Sequence, residues 1–141
     1  MLITILTATY NSSLFLKDAL QSFVEQTHAE KELIVIDGAS KDSTLSILQE
    51  YQQHISQQLS EPDKGIYDAL NKGINLAKGD VIGILHSDDF FASNEVLSQV
   101  AALFKEDNQL EAVYGDLDYV DRNDTDKVIR HWISGDYQYN Q

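Results

Sequence analysis

Leu33-Ile34-Val35-Ile36-Asp37-Gly38-Ala39-Ser40 is a continuous apolar run that ends in a carboxylate and a small-residue turn. Such a run reads as a strand covered on both faces, the signature of a parallel sheet rather than of a half-solvated antiparallel one. Asp42 or Ser43 then caps a helix carrying Leu45, Ile47, Leu48 and Tyr51. Working outward, Leu2 to Thr9 is a second β-rich run closed by the turn Tyr10-Asn11-Ser12-Ser13. Leu16, Ala19, Leu20, Phe23 and Val24 follow it at helical spacing.

On the other side, Ile55 to Leu59 reads as a weak strand. After Pro62 and Gly65 a helix carries Ile66, Leu70, Ile74 and Ala77, with Ile66 and Tyr67 read as packing residues. Val81 to His86 reads as a fourth strand covered on both faces, followed by a helix from about Glu95 to Lys105. Ala112 to Tyr114 opens a fifth strand, and Lys127 to Ile133 forms another after the polar turn Asp121 to Asp126. This alternation predicts one α/β domain over residues 1–141: a Rossmann-like three-layer sandwich with a mostly parallel sheet.

The composition suits a soluble globular chain, 43% hydrophobic and 23% charged over 141 residues. The absence of cysteine excludes disulfides and thiolate chemistry and fits a reducing compartment. No apolar run approaches the roughly 18 residues of a transmembrane helix, and no signal-peptide pattern opens the chain, so a cytoplasmic location is expected. The net charge of −13 repels nucleic acid, which excludes that partner. The same field repels a phosphorylated ligand unless a cation reverses its sign.

In an open α/β sheet ligands bind beyond the carboxyl ends of the strands. There the sequence places Thr7-Ala8-Thr9-Tyr10, Asp37, and His86-Ser87-Asp88-Asp89. Two neighbouring aspartates repel each other in a dry crevice, and Mg²⁺ or Mn²⁺ relieves that cost by taking carboxylates plus substrate phosphates as ligands. The alternative is that one of the pair caps the following helix. Other ligand classes fail on their motifs. Ala8 to Ser13 holds no glycine, against a dinucleotide fingerprint, and no Gly-Lys-Ser/Thr occurs for a P-loop. The first strand is followed neither by the glycine-rich basic loop of a sugar-phosphate nucleotidyltransferase nor by the acidic pair of a receiver domain.

Four segments together resemble the inverting family 2 glycosyltransferases of GT-A fold. They are Thr7-Ala8-Thr9-Tyr10-Asn11, Ile36 to Thr44, Glu61-Pro62-Asp63-Lys64-Gly65-Ile66-Tyr67-Asp68-Ala69-Leu70-Asn71-Lys72-Gly73, and Leu85-His86-Ser87-Asp88-Asp89. The third looks like a block from transferases that build bacterial surface polysaccharides. The resemblance implies that Ala8 and Tyr10 line the base pocket, with the tyrosine ring stacked on the base. Asp37 would accept a hydrogen bond from the base, which favours uracil. Asp88 would contact the ribose or support a Mn²⁺ or Mg²⁺ ion, Asp89 would ligate it, and Lys64 would neutralise phosphate charge, with Asp63 and Asn71 shaping its loop. His86 departs from the Asp or Asn often found before the pair; it either contacts the donor sugar or is a satisfied strand-end histidine.

The implied reaction is inverting transfer from a UDP-sugar to a glycan or lipid-linked acceptor. A lipid-linked acceptor would bring the protein to the inner face of the membrane. The family's general base lies well downstream of the acidic pair, in a part that relatives carry beyond the equivalent of Gln141. Asp116 is the candidate base within this chain, with Asp118 beside it, and both stand against the expectation that the base is missing. Trp132 and Tyr137 belong to an incomplete acceptor lip. Apolar surface left by a missing half favours self-association, so a homodimer is expected. Two further readings stay open: a non-catalytic nucleotide-sugar-binding or assembly module, and a Mg²⁺-binding regulatory domain without nucleotide affinity.

Overall fold

The computed structural model describes residues 1–136, so Tyr137 lies outside the described residues. The chain divides into two compact units, Met1–Lys105 and Glu106–Gln141. In the first, β1 (Ile3–Thr9), β2 (Lys31–Asp37), β3 (Gln57–Ser60) and β4 (Val81–Ile84) form a parallel sheet in the order β3-β2-β1-β4. The helices are α1 (Leu16–Val24), α2 (Thr44–Glu50), α3 (Ile66–Leu76) and α4 (Val96–Glu106), with a single 3₁₀ turn at Gln52–His54.

Strand alternation sorts the side chains onto two faces. Ile3 and Ile5 of β1 and Leu33 and Val35 of β2 join Leu16, Leu20, Leu48 and Leu97 from α1, α2 and α4 in one core. Leu6, Ile34 and Ile36 point the other way and pack on Ala69 and Leu70 of α3 in a second. Helices on both faces of a parallel sheet make the expected three layers. In α1 the buried Leu16, Ala19, Leu20 and Phe23 fall on the one stripe their spacing predicts.

The fourth strand departs from its reading. It stops at Ile84, and its outward residues Ile82 and Ile84 are 42% and 51% exposed. Within the first unit β4 is the edge strand, and α3 packs chiefly over β1 and β2, so the described residues of that unit leave one face of β4 uncovered. α3 likewise buries Ala69, Leu70 and Gly73, leaving Ile66 exposed and Tyr67 80% exposed, contrary to their reading as packing residues.

In the second unit Ala112 to Tyr114 forms no strand. Instead β5 (Leu117–Val120) and β6 (Val128–Trp132) pair antiparallel, with a register shift at Tyr119/Val120. The short connection Asp121 to Lys127 explains this, because parallel pairing needs a crossover of roughly a dozen residues or more. These strands therefore form a separate hairpin rather than extending the parallel sheet.

One polar atom in the core of the first unit has no partner. Thr7 is buried in β1, and its Oγ1 is the one buried side-chain oxygen or nitrogen without a hydrogen bond among the described residues. An unsatisfied buried hydroxyl costs stability that a methyl of the same shape avoids. Thr7→Val is therefore expected to raise stability by about 1 kcal/mol. Thermal unfolding checks it: a lower midpoint would mean that the hydroxyl is satisfied in solution.

Candidate functional site

All four parallel strands end on one side, and their C-terminal loops meet there. The loop after β1 is hydrogen-bonded to the loop after β2. Asn11 N donates to Ser40 Oγ (2.9 Å), Lys41 N to Asn11 Oδ1 (2.8 Å), Ser12 N to Thr44 Oγ1 (2.8 Å) and Ser13 N to Asp42 Oδ2 (3.1 Å). Asp42 also accepts from Thr44 N at 3.0 Å. The Thr44 and Ser13 hydrogen bonds hold the Asp42 carboxyl well below the usual carboxylate range. So Asp42, not Ser43, ties the start of α2, through a short loop bond rather than a helix cap. Two non-glycine residues take left-handed backbone here, Asn11 (φ 49°) and Ala39 (φ 58°). That conformation costs an alanine about 1–2 kcal/mol, and the bonds around it hold it in place.

Asp37 is the centre of this arrangement. It has no exposed surface, and its two oxygens accept four hydrogen bonds. Oδ1 takes Thr9 Oγ1 (2.8 Å) and Ser40 Oγ (2.5 Å), while Oδ2 takes Ser40 N (3.0 Å) and Ser60 Oγ (2.7 Å). Burial alone would raise its pKa, but the bonds from Ser40, Ser60 and Thr9 outweigh it and the pKa is lowered. The carboxylate thus joins the ends of β1, β2 and β3. A base could bond to it only by displacing one of these donors, which departs from the direct contact implied by the resemblance. The sequence places Thr9 in the crevice without a role and gives none to Ser40 or Ser60; the available signal is a hydroxyl at the last residue of β1 and of β3 and another in the turn after β2.

The acidic pair follows β4. Ser87 Oγ hydrogen-bonds Ser12 Oγ at 2.9 Å, linking this loop to the one after β1. Behind it, Ser22 Oγ accepts Phe91 N (3.1 Å), and the buried Gln26 amide donates to Ser93 O (2.6 Å) and accepts Leu97 N (3.0 Å). Ser22 in the last turns of α1 and Gln26 just beyond the helix thereby fix the segment that follows the pair. Asp89 N donates to His86 O at 3.1 Å, forming a tight turn that leaves His86, Asp88 and Asp89 exposed. Partial burial of its carboxyl and the neighbouring Asp88 charge raise the Asp89 pKa, with His86 opposing. No group of three or more metal-ligating side chains exists among the described residues. Two carboxylates suit a Mg²⁺ or Mn²⁺ ion that draws its remaining oxygen ligands from a substrate diphosphate and water.

A cavity of about 360 Å³ lies between these loops, bordered by Tyr10, Ser12, Phe15, Ser87 and Asp88. Tyr10 is 66% exposed. On its other side it meets Gly38 and the loop after β3. A Cβ on Gly38 would lie 3.3 Å from Tyr10 Cδ2 and 2.7 Å from Asp63 Oδ2, so only glycine leaves this notch open. Asp63 Oδ1 accepts Gly65 N at 2.9 Å, in a turn that Gly65 closes at φ 109°. Lys64 is exposed on the same turn, its backbone N–H bonded to Asp68 Oδ2 at 3.1 Å. Ala8 faces the second core beside Leu59 and is only partly exposed.

Asp116 belongs to the second unit, where its Oδ1 accepts Ser134 N (2.8 Å) and Ser134 Oγ (2.7 Å). These bonds lower its pKa, the opposite of what a general base wants. Asp118 is held by His131 Nδ1 at 2.6 Å, and Trp132 is half exposed beneath Arg130.

Residues 4–141 match the family described as "Glycosyl transferase family 2". The chain belongs to glycosyl transferase family 2. Among curated members, the PGL/p-HBAD biosynthesis glycosyltransferase of Mycobacterium bovis (strain BCG / Pasteur 1173P2) is 34% identical over 117 residues, covering 81% of this chain and 46% of the relative. The chain thus spans about half the length of such curated relatives. Among solved structures, S. aureus TarS 1-349 in complex with UDP-GlcNAc is 29% identical, with a TM-score of 0.69 over 75% of this chain and 32% of that one. A mannosyltransferase from Pyrobaculum calidifontis in complex with GDP-Man and Mn²⁺ shares the fold, with a TM-score of 0.69 at 22% identity over 84% of this chain and 35% of that one. The family and these neighbours make the architecture a GT-A fold. No helix among the described residues is long and apolar enough to cross a membrane.

Proposed function

We propose that this chain is the donor-binding part of a metal-dependent, inverting glycosyltransferase that uses a UDP-sugar. One observation carries the reading: an exposed aromatic ring and Asp88, the first carboxylate of the acidic pair, border the same strand-end cavity, their loops joined by the Ser87–Ser12 hydrogen bond. Tyr10 offers a stacking face to the base, and Lys64 is a cation on the loop beside it. Asp88 and Asp89 would hold Mn²⁺ or Mg²⁺. When bound, that ion neutralises charge on the departing diphosphate. Asp37 has the structural task of holding three strand ends together, so the donor meets a fixed crevice. The glycan or lipid-linked acceptor, a cytoplasmic location at or near the membrane face, and a homodimer belong to the same proposal.

Asp116 favours the second reading, a nucleotide-sugar-binding module that does not catalyse transfer, because Ser134 occupies it and lowers its pKa. A donor-panel assay separates the two: a donor that binds but yields neither transferred sugar nor free nucleoside diphosphate supports the module, and glycosyl transfer to an acceptor refutes it. Calorimetric titration with UDP and Mn²⁺ tests what both share. Saturable, metal-enhanced binding is expected, and a protein that binds no nucleotide at any metal concentration refutes both. Base stacking on an aromatic ring contributes about 1–3 kcal/mol, so Tyr10→Ala should weaken UDP binding roughly tenfold while Tyr10→Phe retains it. Equal affinities in parent and Tyr10→Ala would remove Tyr10 from the base site.

A further inference from the structure

We propose that Asp63, rather than Asp37, reads the nucleobase, by accepting the N–H on the ring edge of uracil through its Oδ2. The inference rests on the reading of the crevice as a nucleotide-sugar site, and it names the atom that selects the base.

Three observations converge on it. First, Asp37 has no exposed surface and all four of its acceptor positions are used within the protein. Second, the carboxylate that does flank the stacking ring is Asp63. Its Oδ2 and the ring edge of Tyr10 lie within 2.7 Å and 3.3 Å of one point, the place a side chain on Gly38 would fill. Third, the two oxygens of Asp63 are distinguished by the fold. Gly65 N–H holds Oδ1 at 2.9 Å, which leaves Oδ2 as the oxygen turned toward Gly38. The β2–β3 pairing sets this up: Asp37 is in register with Ser60, and Glu61 N donates to Asp37 O at 2.9 Å, so the chain turns back over Gly38 directly after β3.

An ionised carboxylate is acceptor-only, so it needs a donor on the base. Uracil presents a ring N–H flanked by two carbonyls, an acidic donor suited to a charge-assisted bond. Cytosine and adenine present a bare ring nitrogen at the matching place, whose lone pair would face that of Oδ2. Guanine shares the ring N–H but adds an amino group beside it; with Oδ1 already bonded to Gly65, one oxygen remains, which suits uracil.

The fixed orientation yields a test that ordinary weakening could not mimic. In Asp63→Asn the Gly65 N–H retains the amide oxygen, so the amide NH₂ takes the place of Oδ2. The polarity of the site inverts from acceptor to donor, which suits the bare ring nitrogen of cytosine. Affinities for UDP, GDP, CDP and ADP would be measured by calorimetry at fixed Mn²⁺ for the parent, Asp63→Asn and Gly38→Ala, with thermal midpoints to confirm folding. The parent should bind UDP at least tenfold tighter than CDP, and Asp63→Asn should lower that ratio tenfold or more. Gly38→Ala, whose Cβ meets Oδ2, should weaken UDP more than CDP. A parent that favours GDP over UDP would reassign the ring N–H to guanine and overturn the choice of uracil. An unchanged UDP/CDP ratio in Asp63→Asn, with UDP still bound, overturns the role of Asp63 and leaves the nucleotide site standing. A parent that binds none of the four removes the site and this inference with it.

Discussion

Asp37→Ala is expected to cost the fold about 3–5 kcal/mol, a large share of the roughly 5–15 kcal/mol by which a domain is stable. The substitution strands Thr9 Oγ1, Ser40 Oγ, Ser40 N and Ser60 Oγ at once, each having given its hydrogen bond to this carboxylate. Thr9 and Ser40 are buried, and a buried donor left without a partner costs about 1–3 kcal/mol; the exposed Ser60 hydroxyl turns to water, and entry of water from the crevice recovers part of the rest. The damage also reaches the left-handed turn at Ala39, which Ser40 closes against Asp37. Urea denaturation measures it; a loss under about 1 kcal/mol would show that the carboxylate is dispensable to the fold. The pH dependence gives a second handle. Because the folded pKa of Asp37 is lowered, its stabilising contribution is complete above the unfolded carboxylate value near 4 and disappears as pH falls through the lower folded value. Below pH 4 the parent should therefore lose stability more steeply than Asp37→Ala.

Asp89→Ala should weaken UDP binding in Mn²⁺ about 100-fold, equivalent to roughly 2.7 kcal/mol, and abolish most of the metal dependence. Parent-like affinity in that variant would remove Asp89 from the metal site. The apo protein should respond in the opposite direction. The Asp89 pKa is raised by partial burial and by Asp88, so its ionised form is disfavoured in the folded state at neutral pH. The resulting destabilisation is present above the raised folded pKa and relieved as pH falls through it. Asp89→Asn should accordingly raise the thermal midpoint of the metal-free protein near pH 7 and lower its affinity for Mn²⁺. In the parent, acidification should weaken Mn²⁺ binding sooner than it would for an unperturbed aspartate, because the ion needs the deprotonated group and the Asp89 pKa is raised.

The elements of the central sheet were legible in the sequence because their signals are local. Leu33 to Ile36 is apolar throughout, and α1 repeats its apolar residues on one stripe. β4 has the same apolar character, yet apolarity alone does not say whether a strand is central or at an edge; the sheet order decides that. The sequence leaves the partner and direction of Lys127 to Ile133 open, because such a run carries no mark of its direction; the pairing with β5 decides it. At the site, residue type was easier to read than role. Asp37 was visible at a strand end, but its partners Thr9 and Ser60 come from β1 and β3, and only strand register reveals that they saturate it. Asp63 looked like a loop carboxylate that merely shaped its surroundings. Its nearness to Tyr10 depends on the chain folding back over a residue that has no side chain.

The bonds that join the loop after β1 to the loop after β2 also determine when chain entropy is surrendered. Asn11, Ser12 and Ser13 are ordered by Ser40, Asp42 and Thr44 as the domain folds, before any ligand arrives. Fixing a residue's backbone costs about 1–2 kcal/mol, and a ligand that must order a loop loses that much affinity for each residue it fixes. Here folding has already met that cost. Thermostability and affinity are therefore drawn from the same few hydroxyls and amides, and a change that loosens these loops would diminish both.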